Sequence, residues 1–349
     1  MLVSFAQGIV ILGVLFMICT LINWCYYRAV QSRIPFAAAN LKVACKAVRE
    51  HFSVLLVSYL TIIKSTAWMF TWLLVCSAAW SKYGDSSTDT TTNDDPYSDN
   101  TSDNGFGTAA FFLLISLYWT QEVLKNITHV TTAGVVASWW YDPSRTNVVS
   151  GAYCRATTTS LGSIAMGSFF VAVLQTLEDM ARSARRENNA LACLAECILS
   201  CLRSMLEYFN RWAFVYVGIY GDSFVNSGKA VMALFKNRGW TAIINDNLIQ
   251  RTLALMAFVV GAMMAGVGAL IPVMTGTWLD EIENASWILA GVGFLAGFLL
   301  TLILVGVIDS AVATVFVCMA EAPNVLESTH PALFYDLTAA WREFHQVVF

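Results

Sequence analysis

Charge is what this sequence has least of. Only 13% of its 349 residues are Asp, Glu, Lys or Arg, where soluble domains carry roughly 25%. With 57% apolar residues and a mean hydropathy of +0.60, that shortage excludes an ordinary water-facing surface. A net charge of −4, with no basic patch interleaved with aromatics, excludes a nucleic-acid partner. Cysteine is missing from the one long polar stretch, 81–106, although nine occur elsewhere. An extracellular disulfide framework is therefore not expected. The sequence holds no phosphate-binding loop, no Ser/His/Asp set and no metal-ligand cluster, and its four His (51, 129, 330, 345) are scattered. Neither catalysis nor a metal or cofactor is expected. Residues 3–23 are too long for the apolar core of a cleavable signal peptide and have no basic segment before them.

What the chain does have is long apolar runs, clearest at 3–23, 107–119, 253–279 and 286–308. About 20 such residues cross a hydrocarbon core as a helix. The expected fold is all-α: a polytopic helical membrane protein of about seven transmembrane helices plus cytoplasmic amphipathic helices, as a single transmembrane domain over 1–349. The expected spans are A (3–27), B (52–80), C (107–140), D (151–179), E (189–209), F (251–275) and G (286–317). Arg28, Arg33, Lys42, Lys46 and Arg49 follow span A, which places that segment in the cytoplasm. Residues 36–50 have apolar positions at helical spacing, as in a helix on the membrane surface. Trp139-Trp140-Tyr141 reads as an interfacial aromatic belt, and 142–145 as a short turn.

The stretch 81–106 contains six Asp and one Lys and reads as a flexible outer loop. Its Asn100-Thr101-Ser102 is a glycosylation sequon in an accessible place. Asn126-Ile127-Thr128 has the same pattern but falls within span C. The loop 276–285 also looks external, so an even number of crossings must separate it from 81–106. This requires span E despite Glu196, Arg203 and Glu207, and it puts Arg182, Arg185 and Arg186 outside, against the positive-inside tendency. Alternatively, 189–209 lies flat on the inner face and another segment is re-entrant. Seven crossings put the termini on opposite sides, with the N-terminus outside. That suggests an N-terminal part beyond the residues given.

Ionisable residues within spans are costly and so are functional candidates. Glu122 sits about halfway through span C. It reads either as a carboxylate for a substrate or proton, or as a structural partner of Lys64 or Lys125. Cys193, Cys197 and Cys201 recur every four residues as a stripe on one helix face. Gly293 and Gly297 form a small-xxx-small pair that allows close helix contact.

The segment from Phe209 to Asn237 carries the most specific pattern. Asn210, Arg211, Ala213, Ile219, Tyr220, Gly221, Phe224, Ser227, Lys229, Ala230 and Asn237 resemble the signature of the choline transporter-like family. Leu41-Lys42, Ala44 and Lys46-Ala47-Val48, then Trp119-Thr120, Asp309, and Cys318 with Glu321, also fit in register. The resemblance covers the whole chain but begins partway into a ten-span pattern, so this chain looks like its last seven spans. It implies uptake of choline or ethanolamine, a small cationic substrate, at the plasma membrane. A quaternary ammonium cannot donate a hydrogen bond and is held by aromatic faces and carboxylates. The candidate binding residues are Trp68, Trp72, Tyr118, Trp119, Glu122 and Asp309. Asp309 either binds a cation or proton, or caps the Ser310 region. Tyr220, Gly221 and Lys229 are candidates for a cytoplasmic gate, with Lys229 paired to Asp222 or Glu207. Lipid is the other expected partner. The expected mechanism is alternating access without ATP. The alternative is a truncated, non-transporting member with a binding or regulatory role.

Overall fold

The computed structural model describes residues 34–83, 101–185, 190–238, 241–275 and 284–345, with isolated positions between 13 and 31. Most of span A, and the sequon residue Asn100, lie outside the described residues. Among those residues there are eleven helices and no strand. In chain order they are α1 (Ile34–Glu50), α2 (Val54–Tyr83), α3 (Thr101–Tyr141), α4 (Val148–Thr157), α5 (Leu161–Arg185), α6 (Ala190–Tyr220), α7 (Phe224–Arg238), α8 (Thr241–Thr275), α9 (Ala285–Glu321), α10 (Pro323–Thr329) and α11 (Pro331–His345). Helix is the form these segments must take in lipid, because it satisfies every backbone N–H and C=O within the segment.

Four helical segments are long and apolar enough to cross a membrane: Val54–Ser81, Leu161–Arg185, Leu248–Pro272 and Ala285–Glu321. α3 and α6 are 41 and 31 residues long but carry charge in their middles. α6 alone is ~46 Å in length at 1.5 Å per residue.

The six long helices alternate in direction. α2 runs antiparallel to α3, with Trp72 donating to the Leu113 carbonyl at 2.9 Å and Thr61 meeting Thr128 at 2.8 Å. α5 returns beside α3, where Asn126 donates to Ser168 at 2.9 Å. α6 reverses again, antiparallel to α5: Arg182 meets Glu196 near one end and Asn210 donates to the Gly167 carbonyl further along. α8 and α9 form the closest antiparallel pair. A Cβ on Gly268 would stand 2.2 Å from the Leu289 carbonyl oxygen, and one on Gly293 would stand 2.5 Å from that of Met264. Glycine is needed at both positions because backbone, not a flexible side chain, occupies the space.

α3, α6 and α9 point the same way and their C-terminal ends meet. Tyr216 and Tyr220 both donate to the Glu321 carboxylate, and Trp140 donates to the Ala322 carbonyl at 3.1 Å. The core is at this end, where Trp139, Trp140, Trp212, Phe214 and Phe316 are buried. Toward the opposite end α9 turns outward, with Trp287 79% exposed and Leu295 57% exposed, the pattern expected of a lipid-facing surface.

Three boundaries differ from the sequence reading. Span D is not continuous from 151. α4 ends at Thr157 and α5 begins at Leu161. Thr157, Thr158 and Thr159 bond their hydroxyls back to the carbonyls of Tyr153, Cys154 and Arg155 at 2.9, 2.6 and 3.2 Å, and such local bonds compete with the helix ladder. α3 starts at Thr101, inside the stretch read as loop, and α2 continues to Tyr83. The 36–50 helix does more than rest on a membrane surface. Phe36 packs on Phe316 of α9 and Trp341 of α11, with ring centroids 5.7 and 5.3 Å apart.

Candidate functional site

A cavity of about 590 Å³ opens between α2, α3, α6 and α9, with Gln250 of α8 at its edge. Its chemistry follows from polar residues that share helix faces. Glu122, Asn126 and His129 on α3 are spaced four and three apart, so they stack on one side. On α6, Glu207 and Arg211 are one turn apart, and α9 contributes Asp309 and Ser310.

Each ionised group meets a counter-charge. Arg211 donates to the Asp309 carboxylate at 2.8 Å and to the Asp309 backbone carbonyl at 3.2 Å. The two side chains are 13% and 22% exposed. Glu122 is paired with Lys125 at 2.7 Å, its own side chain 14% exposed. His129, 9% exposed, links the three helices: one ring nitrogen meets Ser310 Oγ at 2.7 Å and the other meets the Arg211 carbonyl at 2.9 Å. Since a carbonyl only accepts, the nitrogen facing Arg211 carries a proton, while Ser310 Oγ, in contact with the other nitrogen, also reaches the Gly306 carbonyl at 2.9 Å. Three carboxylates and two side-chain cations line the cavity, and the third carboxylate, Glu207, takes its counter-charge from Arg203 just behind the wall.

The charges that made span E doubtful are neutralised across the α5–α6 seam. Glu178, 4% exposed, sits between Arg182 at 2.9 Å and Arg203 at 2.8 Å. Glu196 meets Arg182 at 3.0 Å and Arg185 at 2.9 Å. Arg203 also reaches Glu207 on the cavity wall at 3.2 Å. Arg182 and Arg185 are therefore not an uncompensated basic cluster.

Of the sequence candidates, Glu122 and Asp309 come together at this cavity. Trp68, Trp72, Tyr118 and Trp119 do not line it. Trp72 spends its N–H on Leu113, as above, and Trp68 is half-buried on α2. Tyr118 donates to Asp179 on α5. Trp119 donates to the Ala165 carbonyl at 2.9 Å and stands edge-on to Phe169. Trp72, Tyr118 and Trp119 tie helices together, and Tyr208 is the phenol ring on the wall itself. Lys64 does not pair with Glu122. It donates to the Tyr153 hydroxyl at 2.6 Å.

Gly221 has φ 75, the left-handed backbone that glycine adopts without strain, and it terminates α6. Lys229 is exposed on α7 and pairs with neither Asp222 nor Glu207, which Arg203 holds at 3.2 Å. The residues that sequence reasoning passed over were His129, Glu207 and the role of Arg211. The spacing of Glu122, Asn126 and His129 on one face of an apolar helix was the available signal.

A family profile described as plasma-membrane choline transporter matches residues 14–324. The chain belongs to this choline transporter-like family. A CTL-like protein of Dictyostelium discoideum is 30% identical over 346 residues, covering 95% of this chain and 57% of that protein. Protein PNS1 of Mycosarcoma maydis is 31% identical over 333 residues, 92% of this chain and 62% of that protein. Protein PNS1 of Gibberella zeae is 29% identical over 354 residues, 96% and 64%. The chain thus spans about three fifths of the length of these relatives. The family is one of membrane transporters, and the apolar helices make this chain a membrane protein. The choline transporter signature divides between two places. Asn210 and Arg211 stand at the cavity, while Tyr220 and Gly221 form the turn where α3, α6 and α9 converge.

Proposed function

We propose that this chain carries choline or a related amine such as ethanolamine across the plasma membrane, by alternating access and without ATP. The observation that carries the reading is the cavity: three carboxylates, each held by a cation that a substrate could displace, inside a helical bundle of a transporter family. Its volume falls within the roughly 300–1,000 Å³ of small-molecule sites. In a low-dielectric surround, a carboxylate parted from its counter-charge favours a cation. Glu122 and Glu207 serve as attractors by exchanging Lys125 and Arg203 for the substrate, Asp309 stays with Arg211, and Tyr208 offers an aromatic face worth ~0.5–2 kcal/mol to a quaternary ammonium. The reading further takes all six long helices, together with 3–27, as seven crossings, and takes Asn100 as the glycosylated residue of the outer loop. The Tyr216–Glu321–Tyr220 contact closes the inner end in the state described here. Parting of α6 and α9 would break it.

Labelled-choline uptake by cells expressing the chain tests this. Glu122→Gln with Glu207→Gln should raise the half-saturating choline concentration by about tenfold, which is 1.4 kcal/mol of lost attraction. Unchanged uptake in that double variant at equal surface delivery would remove the cavity from the transport path. Absence of uptake in the wild type despite surface delivery would favour the non-transporting reading.

A further inference from the structure

Lys64 has no role in the cavity and no carboxylate partner among the described residues. It is exposed on α2, inside a segment apolar enough to cross a membrane. A lone cation at such depth costs ~3 kcal/mol, and its observed contacts are the hydroxyl of Tyr153 at 2.6 Å and the face of the same ring at 5.4 Å. Tyr153 also lines a second cavity, of about 500 Å³, between the start of α2 and the start of α4. Arg145, His51, Leu56 and Ser150 share that wall, and among the described residues no acidic one lines it. Arg145 lies near enough to Arg155 that its charge, added to burial, lowers the Arg155 pKa. Positive charge is thus in surplus around this corner. Above it, Leu56, Leu60 and Ile63 follow one another along one face of α2, exposed by 62%, 49% and 65%.

We infer that this corner binds one anionic phospholipid, its phosphate held between Arg145 and Lys64 and an acyl chain lying along Leu56, Leu60 and Ile63. The charge is complementary, and the apolar stripe makes a lipid a better occupant than free phosphate. The site adjoins the segment that carries Lys42, Lys46 and Arg49, and basic segments face the cytoplasm, the leaflet rich in anionic lipid. Basic pockets between helices on that side suit such headgroups.

The purified full chain in nonionic detergent, followed by thermal melting, tests the site. Phosphatidylserine should raise the melting temperature, whereas phosphatidylcholine and inorganic phosphate should not. Lys64→Leu and Arg145→Gln should each raise the midpoint phosphatidylserine concentration about fivefold, the factor for one basic residue near an anionic surface. Lys64→Arg, which keeps the charge, should stay near the wild type. Both side chains are exposed, so folding should survive, and the wild-type lipid selectivity decides by itself if a variant yields little protein. An equal shift with phosphatidylcholine, a shift reproduced by inorganic phosphate, or unchanged midpoints in both charge-removing variants overturns the inference. Transport does not enter the measurement, so its outcome is independent of the substrate reading.

Discussion

Asp309→Asn is the change whose consequence can be worked most fully. It keeps the side chain's shape and deletes the charge facing Arg211, 2.8 Å away. Two charges about 4 Å apart attract by ~4 kcal/mol at an effective dielectric of 20, and removing one partner of a fully buried pair costs about 3–5 kcal/mol. This pair is less than fully buried, at 13% and 22% exposure. Arg211 also keeps its 3.2 Å bond to the Asp309 backbone carbonyl, which the substitution leaves in place. We therefore expect a loss of about 2 kcal/mol, or on the order of 3 °C in melting temperature for a chain this long. The sharper measurement is a double-mutant cycle. Arg211→Met alone leaves Asp309 without its cation, so the double variant should lose less than the two singles together, by roughly 1–2 kcal/mol. Single losses that simply add, to within about 0.5 kcal/mol, would refute the claim that this pair couples α6 to α9.

Other consequences are equally open to measurement. Gly268→Ala should destabilise by about 1–3 kcal/mol, because its Cβ would meet the Leu289 carbonyl at 2.2 Å. Gly266→Ala, where nothing lies within 4 Å, should stabilise by about 0.5–1 kcal/mol, and equal melting of the two would contradict the α8–α9 seam. His330 stacks on Trp139 with centroids 4.3 Å apart, and burial lowers its pKa, only partly opposed by Glu50. The folded form then binds its proton less readily than the unfolded chain does. Its contribution to stability is complete above the ordinary pKa of about 6.5 and should fall as pH drops below that value; His330→Gln should flatten a melting profile taken from pH 8 to 5. Trp119→Phe forfeits the hydrogen bond to Ala165 and keeps the edge contact with Phe169. It should cost about 1 kcal/mol of stability and leave the half-saturating choline concentration unaltered. A raised value would return Trp119 to the substrate path.

Much of the fold was legible because hydrocarbon imposes a simple code. Long, mostly apolar stretches at 54–81, 248–272 and 285–321 have one stable solution in lipid, and they appear as helices there. The break at Thr157–Ser160 escaped notice because the composition on either side is the same. The turn shows only in three dimensions, where the Thr158 and Ser160 N–H groups both bond back to the Arg155 carbonyl. In the candidate site, Glu122 stood out as a charge in a span, but its partner was left open between Lys64 and Lys125. Helical spacing allowed the second, and the first was drawn away by Tyr153. The tryptophans looked like a cage because ring type is written in the sequence. Where each N–H is spent is not, and Trp72 and Trp119 spend theirs on neighbouring backbone.

Sequence alone settled the surrounding medium, the helical form and the family, since each depends on local composition or on residues adjacent in the chain. Tertiary structure decided which ionised groups share a hollow. Arg211 and Asp309 lie 98 positions apart and Arg203 reaches back to Glu178. Such pairs depend on how helices rotate and stack, and that rotation is set by small residues at the seams, a sum over many distant contacts that no single stretch of chain encodes.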